Sequence, residues 1–349
     1  MKASRKKTDK LKPSEFRFPM GRQKPRTFPG GTAREATAIQ FPTSKSIAGV
    51  LMTLKPGGLR ELHWHANAAE WGYVIGGKVR TTIIDPQGRS EINDFGQGDV
   101  WYFPRGHGHS IQGIGNETTK FLLAFDNGYF SEFATFSLTD WLAYTPKDIL
   151  AQNLRVSSEE LKSLPKKEVY IVTGPTPPAS PETYADALHS PPLTHKYELL
   201  SQEPKRYRGS SLWLASSREF PISTTMTGAM LELEPGALRE LHWHPNADEW
   251  QFVLSGKMRT TVFASSGRAT TVELSEGDVG FAPMGYGHSI QNNGNEKSRV
   301  ILAFNNGEYQ EISLSSWLSS NPTRLLETNL SLPREVIEKL PKKEEFIFG

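Results

Sequence analysis

The chain contains no cysteine, which removes disulfides, thiolate metal ligands and cysteine nucleophiles together and leaves no mark of the redox compartment. It also lacks an excess of either charge, since 40 basic residues stand against 38 acidic ones for a formal net charge of +2. Without a large field for nucleic acid or an anionic membrane, any attraction for an anion has to be local. No apolar run approaches the roughly 20 residues of a membrane span. Residues 1–12 are basic and polar and lack the apolar core of a secretory signal, so the expected location is cytoplasmic as written. An exported chain with its signal already removed would read the same way. Neither nucleic acid nor membrane is an expected partner.

What is present is a duplicated set of metal-ligand residue types. Arg60-Glu61-Leu62-His63-Trp64-His65 is followed by Glu70 and His109, and Arg239-Glu240-Leu241-His242-Trp243-His244 by Glu249 and His288. The separations 242 − 63, 249 − 70 and 288 − 109 are all 179. Histidines two apart on a strand share a face, and a carboxylate beyond a turn can close over them. A set repeated without slippage predicts two homologous domains, each with a His, His, Glu, His metal site. His107, His189 and His195 fall outside the repeat and are expected in ordinary surface or loop positions.

The 349 residues suit two domains of roughly 150 residues each. The expected organisation is an N-terminal arm at 1–30 outside the core, a first domain at 31–173, a proline-rich linker at 174–192 and a second domain at 193–349. Short strand-like stretches alternate with turns such as Pro56-Gly57-Gly58 and Gly96-Gln97-Gly98-Asp99, with no helical pattern between them. The fold class is therefore all-β: two tandem antiparallel jelly-roll β-barrel domains, each followed by short α-helices. Helices are predicted over 138–154 and 314–330, a capping box at Ser157 and Glu160, and a strand over 166–172.

One segment breaks the repeat. The offset is 179 at Gly128 and Gly307 but 176 at Trp141 and Trp317, so Ser131-Glu132-Phe133-Ala134-Thr135 faces only Gln310-Glu311. A glutamate in a surface loop is most often merely solvated. Loops over a barrel mouth also form lids, which makes Glu132 a candidate catalytic group. The shortened second loop is not expected to carry Glu311 to its metal site.

Gly57, His63-x-His65, Glu70 and Gly77, with Gly98, Pro104-x-Gly106 and His109, resemble the two cupin motifs. Both recur in the second domain, including Asn292, where the first domain has Gly113. The chain is most similar to the bicupin oxalate decarboxylases, at Arg60 to His65, Trp101-Tyr102-Phe103-Pro104, Asp126-Asn127-Gly128 and Leu138-Thr139-Asp140-Trp141. The resemblance implies an enzyme, a carboxy-lyase that splits oxalate into formate and carbon dioxide. Its cofactors would be dioxygen and Mn(II), two ions per chain, held by His63, His65, Glu70 and His109 and by His242, His244, Glu249 and His288. Ligand type alone also permits iron, copper or zinc. Arg60 would hold the second carboxylate, Arg239 and Thr135 would also bind substrate, and Glu132 would donate the proton. A homotrimer or homohexamer is implied, with the helices bearing Trp141 and Trp317 between subunits. Trp64 and Trp243, otherwise outward packing residues, gain a role in electron transfer between sites.

Strict alternation puts Arg60 on the opposite face from His63 and His65, so its role requires a bulge or twist near 56–58. The family lid reads Ser-Glu-Asn-Ser-Thr, and Phe133 and Ala134 replace its two central polar residues, which bears on the balance between decarboxylation and oxidation. Oxalate oxidase chemistry, giving carbon dioxide and hydrogen peroxide, and a non-catalytic manganese-binding or storage bicupin fit the same ligands. For the second site a catalytic and a purely structural role both stand open.

Overall fold

The computed structural model describes residues 11–178, 180, 190–208 and 210–349. Residues 1–10 of the expected arm, His189 and the middle of the expected linker, 181–189, lie outside the described residues. Each domain is a pair of facing antiparallel sheets. These are the expected jelly-roll domains, and among the described residues the two sheets of a pair are not hydrogen-bonded into one ring.

In the first domain the larger sheet runs, in spatial order, Lys196–Tyr197, Val100–Phe103, Glu70–Gly76, Thr119–Phe125, Ala48–Leu54, Gly31–Ala36 and Arg26–Phe28. The smaller runs Phe136–Ser137, Gly58–Trp64, Gly108–Ile114, Lys78–Ile84 and Ser90–Phe95, with Ile171–Thr173 also paired to Gly58–Trp64. The second domain repeats both sheets. Ala48–Leu54 is apolar almost throughout because both of its faces are covered. Val50, Met52 and Leu54 fill the space between the sheets of the first domain, while Leu51 packs toward the second. Strands buried on both faces lose the alternation that a one-sided strand shows.

The interface between the domains is reciprocal. A Cβ on Gly49 would stand 2.3 Å from the Trp250 ring, and one on Gly228 would stand 2.0 Å from the Trp71 ring. Glycine is required at both places by the close approach of an indole. The domains also exchange edge strands. Arg17–Phe18, from the segment ahead of the first domain, pairs with Val279–Ala282 of the second, and Lys196–Tyr197 pairs with Val100–Phe103 of the first. The stretch expected outside the core does supply core side chains: Phe16 and Met20 are buried. Arg17 and Arg22 both bridge to the buried Asp278, at 2.7 and 3.0 Å.

The helix expected over 138–154 is two helices, Leu138–Tyr144 and Lys147–Leu154. Pro146 separates them, since proline supplies no N–H and its ring blocks a continuing helix. Ser157 and Glu160 make both capping-box bonds, at 2.8 and 3.3 Å, but the turn they start is the short 3-10 segment Glu160–Ser163. The strand expected over 166–172 is confined to Ile171–Thr173. No helix among the described residues is long and apolar enough to cross a membrane.

Candidate metal centres

The irregularity of Gly58–Trp64 decides which side chains reach the first centre. His63 faces His109, and Arg60 faces Ile111, so three steps on one strand match two on its neighbour. The extra residue is a bulge between Arg60 and His63, and it brings both onto the inward face despite their opposite parity. The bulge expected near 56–58 therefore lies at Glu61-Leu62. The second domain repeats it, with Arg239 opposite Ile290 and His242 opposite His288. Glu61 anchors the bulge by accepting the N–H of Tyr170 at 2.7 Å and the hydroxyl and N–H of Thr139 at 2.6 and 3.1 Å. Thr139 sits in the first turn of Leu138–Tyr144, whose N–H groups have no acceptor inside the helix.

His63, His65, Glu70 and His109 converge, with one potential ligand atom from each within 4.8 Å of the others and all four side chains buried. His63 Nδ1 donates to the Glu61 carbonyl at 2.6 Å and His109 Nδ1 to the His107 carbonyl at 2.9 Å. A proton fixed on Nδ1 leaves Nε2 of a neutral imidazole as a bare donor, which is what a metal needs. His63 Nε2 and His109 Nε2 are buried without a hydrogen-bond partner. Burial, then the nearby Arg60 charge, hold the His63 pKa well below the ordinary histidine value, and burial lowers that of His65. Burial alone would raise the Glu70 pKa, but His109 and His65 outweigh it and hold Glu70 below the usual carboxylate range. One Glu70 oxygen lies 3.0 Å from His65 Nε2, and the other accepts the Trp101 indole N–H at 2.7 Å.

Over this cluster lies the 131–135 loop with Glu132 fully buried. Glu132 Oε1 accepts the Arg60 Nε–H, while Arg60 Nη1 and Nη2 and Glu132 Oε2 are buried without partners. Burial works against the Arg60 charge, but the Glu132 carboxylate outweighs it and raises the arginine pKa. The loop is held down by Glu35, whose carboxylate accepts the Glu132 N–H at 3.2 Å and the Ser131 hydroxyl at 3.2 and 3.3 Å. Thr135, an expected substrate-binding residue, meets His65 Nδ1 at 3.1 Å and donates to the Ser131 carbonyl at 3.4 Å.

His242, His244, Glu249 and His288 form a second cluster of the same kind. Their Nδ1 atoms donate to the carbonyls of Glu240, Gln310 and Tyr286 at 2.7, 2.8 and 2.9 Å. Burial, with the Arg239 charge second, pushes His242 down to about 3. The outer oxygen of Glu249 takes its hydrogen bond from Gln251 at 2.7 Å, in the role Trp101 plays in the first site. Room for these two donors is exchanged along with them: Gly72 lies against Trp101, and Gly280 against Gln251.

The shortened loop does reach this centre, contrary to the sequence expectation. Glu311 pairs with Arg239 as Glu132 does with Arg60, and it also accepts the Tyr309 hydroxyl at 2.5 Å. Yet each terminal nitrogen of the arginine has a protein partner here. Arg239 Nη1 donates to the Phe346 carbonyl at 3.3 Å and Nη2 to Glu311. Glu344 stands beside Glu311, and burial together with that hydrogen-bonded carboxylate raises its pKa to about 7. Arg239, expected to bind substrate, therefore has both terminal nitrogens committed to the protein.

Sequence reasoning missed Glu35, Tyr170 and the Trp101 hydrogen bond. A faint signal existed in the repeat itself, which pairs Glu35 with Leu214, Trp101 with Gly280 and Gly72 with Gln251. Of the unrepeated histidines, His195 is not an ordinary surface residue. It is buried, with Nδ1 2.7 Å from Glu91. His107 is half-buried.

Facing antiparallel sheets with three imidazoles and a carboxylate between them define a cupin, and the Cupin family model matches residues 21–162 and again 197–338. The oxalate decarboxylase OxdC of Bacillus subtilis is 44% identical over 97% of this chain and 87% of its own length. A probable oxalate decarboxylase of Arthroderma benhamiae is 34% identical over 93% of this chain and 80% of its own length. The solved structure of Bacillus subtilis oxalate decarboxylase at pH 4.6 superposes with a TM-score of 0.90 at 43% identity, covering 95% of this chain and 87% of that one. The chain belongs to the bicupin oxalate decarboxylase family.

Proposed function

We propose that this protein is a manganese-dependent oxalate decarboxylase that works at its first-domain site, converting C2O4²⁻ + H⁺ into CO2 + HCO2⁻. The observation that carries the reading is the buried Arg60 fork, with Nε on Glu132 and both terminal nitrogens unpaired beside the unpaired Nε2 atoms of His63 and His109. Unsatisfied buried donors are expensive and indicate a missing partner. A carboxylate is the natural acceptor for two parallel guanidinium N–H groups. His63, His65, Glu70 and His109 would hold the ion, and three neutral imidazoles with one carboxylate leave two positions of an octahedral metal free. Manganese, with dioxygen, would supply the one-electron withdrawal that weakens the carbon–carbon bond of oxalate.

The chain's own residues do the rest. Arg60 orients the distal carboxylate, and the closed loop keeps bulk water away from the bond being broken. Glu132, within the same closed space, takes up the proton consumed in the reaction on its unpartnered Oε2 and delivers it to the carbon left when carbon dioxide departs. At the second centre the arginine fork and the glutamate are satisfied by protein groups, which favours a structural part for its metal, since ligand binding adds to folding stability. The test is metal removal and return. Chelation is expected to abolish formate release from oxalate, and Mn(II) to restore it as the two ligand sets fill. Full turnover by metal-free protein would contradict the proposal, and metal binding with no turnover would leave the storage function.

Exposed apolar side chains support assembly. Leu62 and Leu241, Ile84 and Phe263, Trp141 and Trp317, and Ile149 and Leu325 are exposed large hydrophobics at matching positions of the two domains. A surface duplicated in this way suits head-to-tail contacts between copies that close into a ring, the trimer or its doubled hexamer. Sedimentation at micromolar concentration is expected to give the trimer or hexamer, and a monomer would refute this.

A further inference from the structure

The lid carries a side chain that neither the metal ligands nor the proton transfer uses. Phe133 follows Glu132, but its ring lies under the Arg26 guanidinium, 3.8 Å from ring centre to Cζ. The same guanidinium stands 5.4 Å from the Phe28 ring and 5.9 Å from the Tyr170 ring. Phe28 and Tyr170 themselves pack at 4.4 Å, and the Tyr170 ring lies 4.3 Å from the Arg60 Cζ. A cation therefore sits on three rings, two of which belong to the fixed frame. Arg26 and Phe28 are in a strand paired to Gly31–Ala36, and Tyr170 precedes a strand paired to Gly58–Trp64. Only Phe133 travels with the lid.

We propose that Arg26 is the latch of the lid, a positioning residue whose seat on the Phe133 ring sets the fraction of time during which Glu132 is inside the site. The second domain supports the assignment by contrast. Phe346 takes the place of Tyr170 and stacks on Tyr207 at 4.5 Å, but its shorter loop has no residue matching Phe133. The latch exists only where there is a lid to hold. Lid opening breaks the cation–ring contact, and a contact of this kind at an exposed arginine is worth about two- to fivefold in the ratio of closed to open loop. Its catalytic consequence rests on the decarboxylase reading. While the loop is open, oxalate is diverted to C2O4²⁻ + O2 + 2H⁺ → 2CO2 + H2O2, in which oxalate loses two electrons to dioxygen and no proton reaches carbon.

The test is hydrogen exchange at the lid of the metal-loaded, full-length protein. The amide of Glu132 is bonded to Glu35, outside the loop, so its exchange reports opening, whereas those of Phe133 and Ala134 are bonded to Ser131 within the loop. Arg26→Gln and Phe133→Leu are each expected to speed exchange at the Glu132 amide by at least twofold, and the double variant by no more than either alone. Phe133→Trp, which keeps a ring for the cation, is expected to restore wild-type protection. The hydrogen peroxide to formate ratio should rise in Arg26→Gln and Phe133→Leu and stay at the wild-type value in Phe133→Trp. Unchanged lid exchange in Arg26→Gln, or effects of the single variants that multiply in the double, would overturn the latch. Exchange that follows the expected pattern in a protein that does not consume oxalate would keep the latch and overturn the decarboxylase reading.

Discussion

Changing His63 and His65 together to alanine is expected to leave formate release at background while the protein keeps the metal of its second centre. Both imidazoles are buried and converge with Glu70 and His109. The orphaned Nε2 of His63 and the Glu70 oxygen beside His65 are held for one ion, so removing two of the four donors leaves no usable site. Metal analysis should fall from both ligand sets filled to one. The folded structure should persist, because the inter-domain core built on Trp71, Trp250 and their neighbours does not include the altered residues. Formate release that continued with the first site empty would move the chemistry to His242, His244, Glu249 and His288.

Changing Glu132 to glutamine has the next largest expected effect. The amide keeps the size of the side chain and an oxygen for Arg60 Nε, but it cannot hand over a proton. Loss of a general acid typically costs about 10² to 10⁴ in rate. The loss should fall on kcat rather than KM, because the terminal nitrogens of Arg60 stay free for the substrate carboxylate. Consumption of oxalate should outlast formate production, with the difference appearing as carbon dioxide and peroxide. A formate rate within about threefold of wild type, far short of that range, would return Glu132 to the solvated-loop reading.

The sequence made the two ligand sets legible because their spacing is linear: histidines two apart on a strand, a glutamate after a turn and a third histidine 39 residues beyond the glutamate in both copies. Arg60 was harder. Its inward position depends on a bulge, and a bulge is a mismatch between two strands rather than a property of either, so strict alternation misplaced it at 56–58 instead of Glu61-Leu62. Glu311 was misjudged for a related reason. A three-residue gap can be placed before or after the glutamate, and only the geometry puts it after, with Glu311 on Arg239. Glu35, Arg26 and Tyr170 come from distant stretches without motifs and meet the lid only through the sheet pairings of Gly31–Ala36, Arg26–Phe28 and Ile171–Thr173. Phe16 and Met20 were assigned to an arm because a short segment between charged residues has no hydrophobic period. Phe16 is buried by the second domain and Met20 by the core the two domains share, which no local pattern reports.

The two centres now differ less in their residues than in what those residues are free to do. Both have an arginine paired with a glutamate over a His, His, Glu, His set. Among the described residues, only the first leaves the arginine's terminal nitrogens and a glutamate oxygen buried without a partner. The measurement that tests this most directly is the formate rate of Glu132→Gln beside that of Glu311→Gln, each in fully metal-loaded protein. A loss of about 10² or more is expected for the first and a rate near wild type for the second. A loss at Glu311→Gln as large as at Glu132→Gln would contradict this difference between the centres.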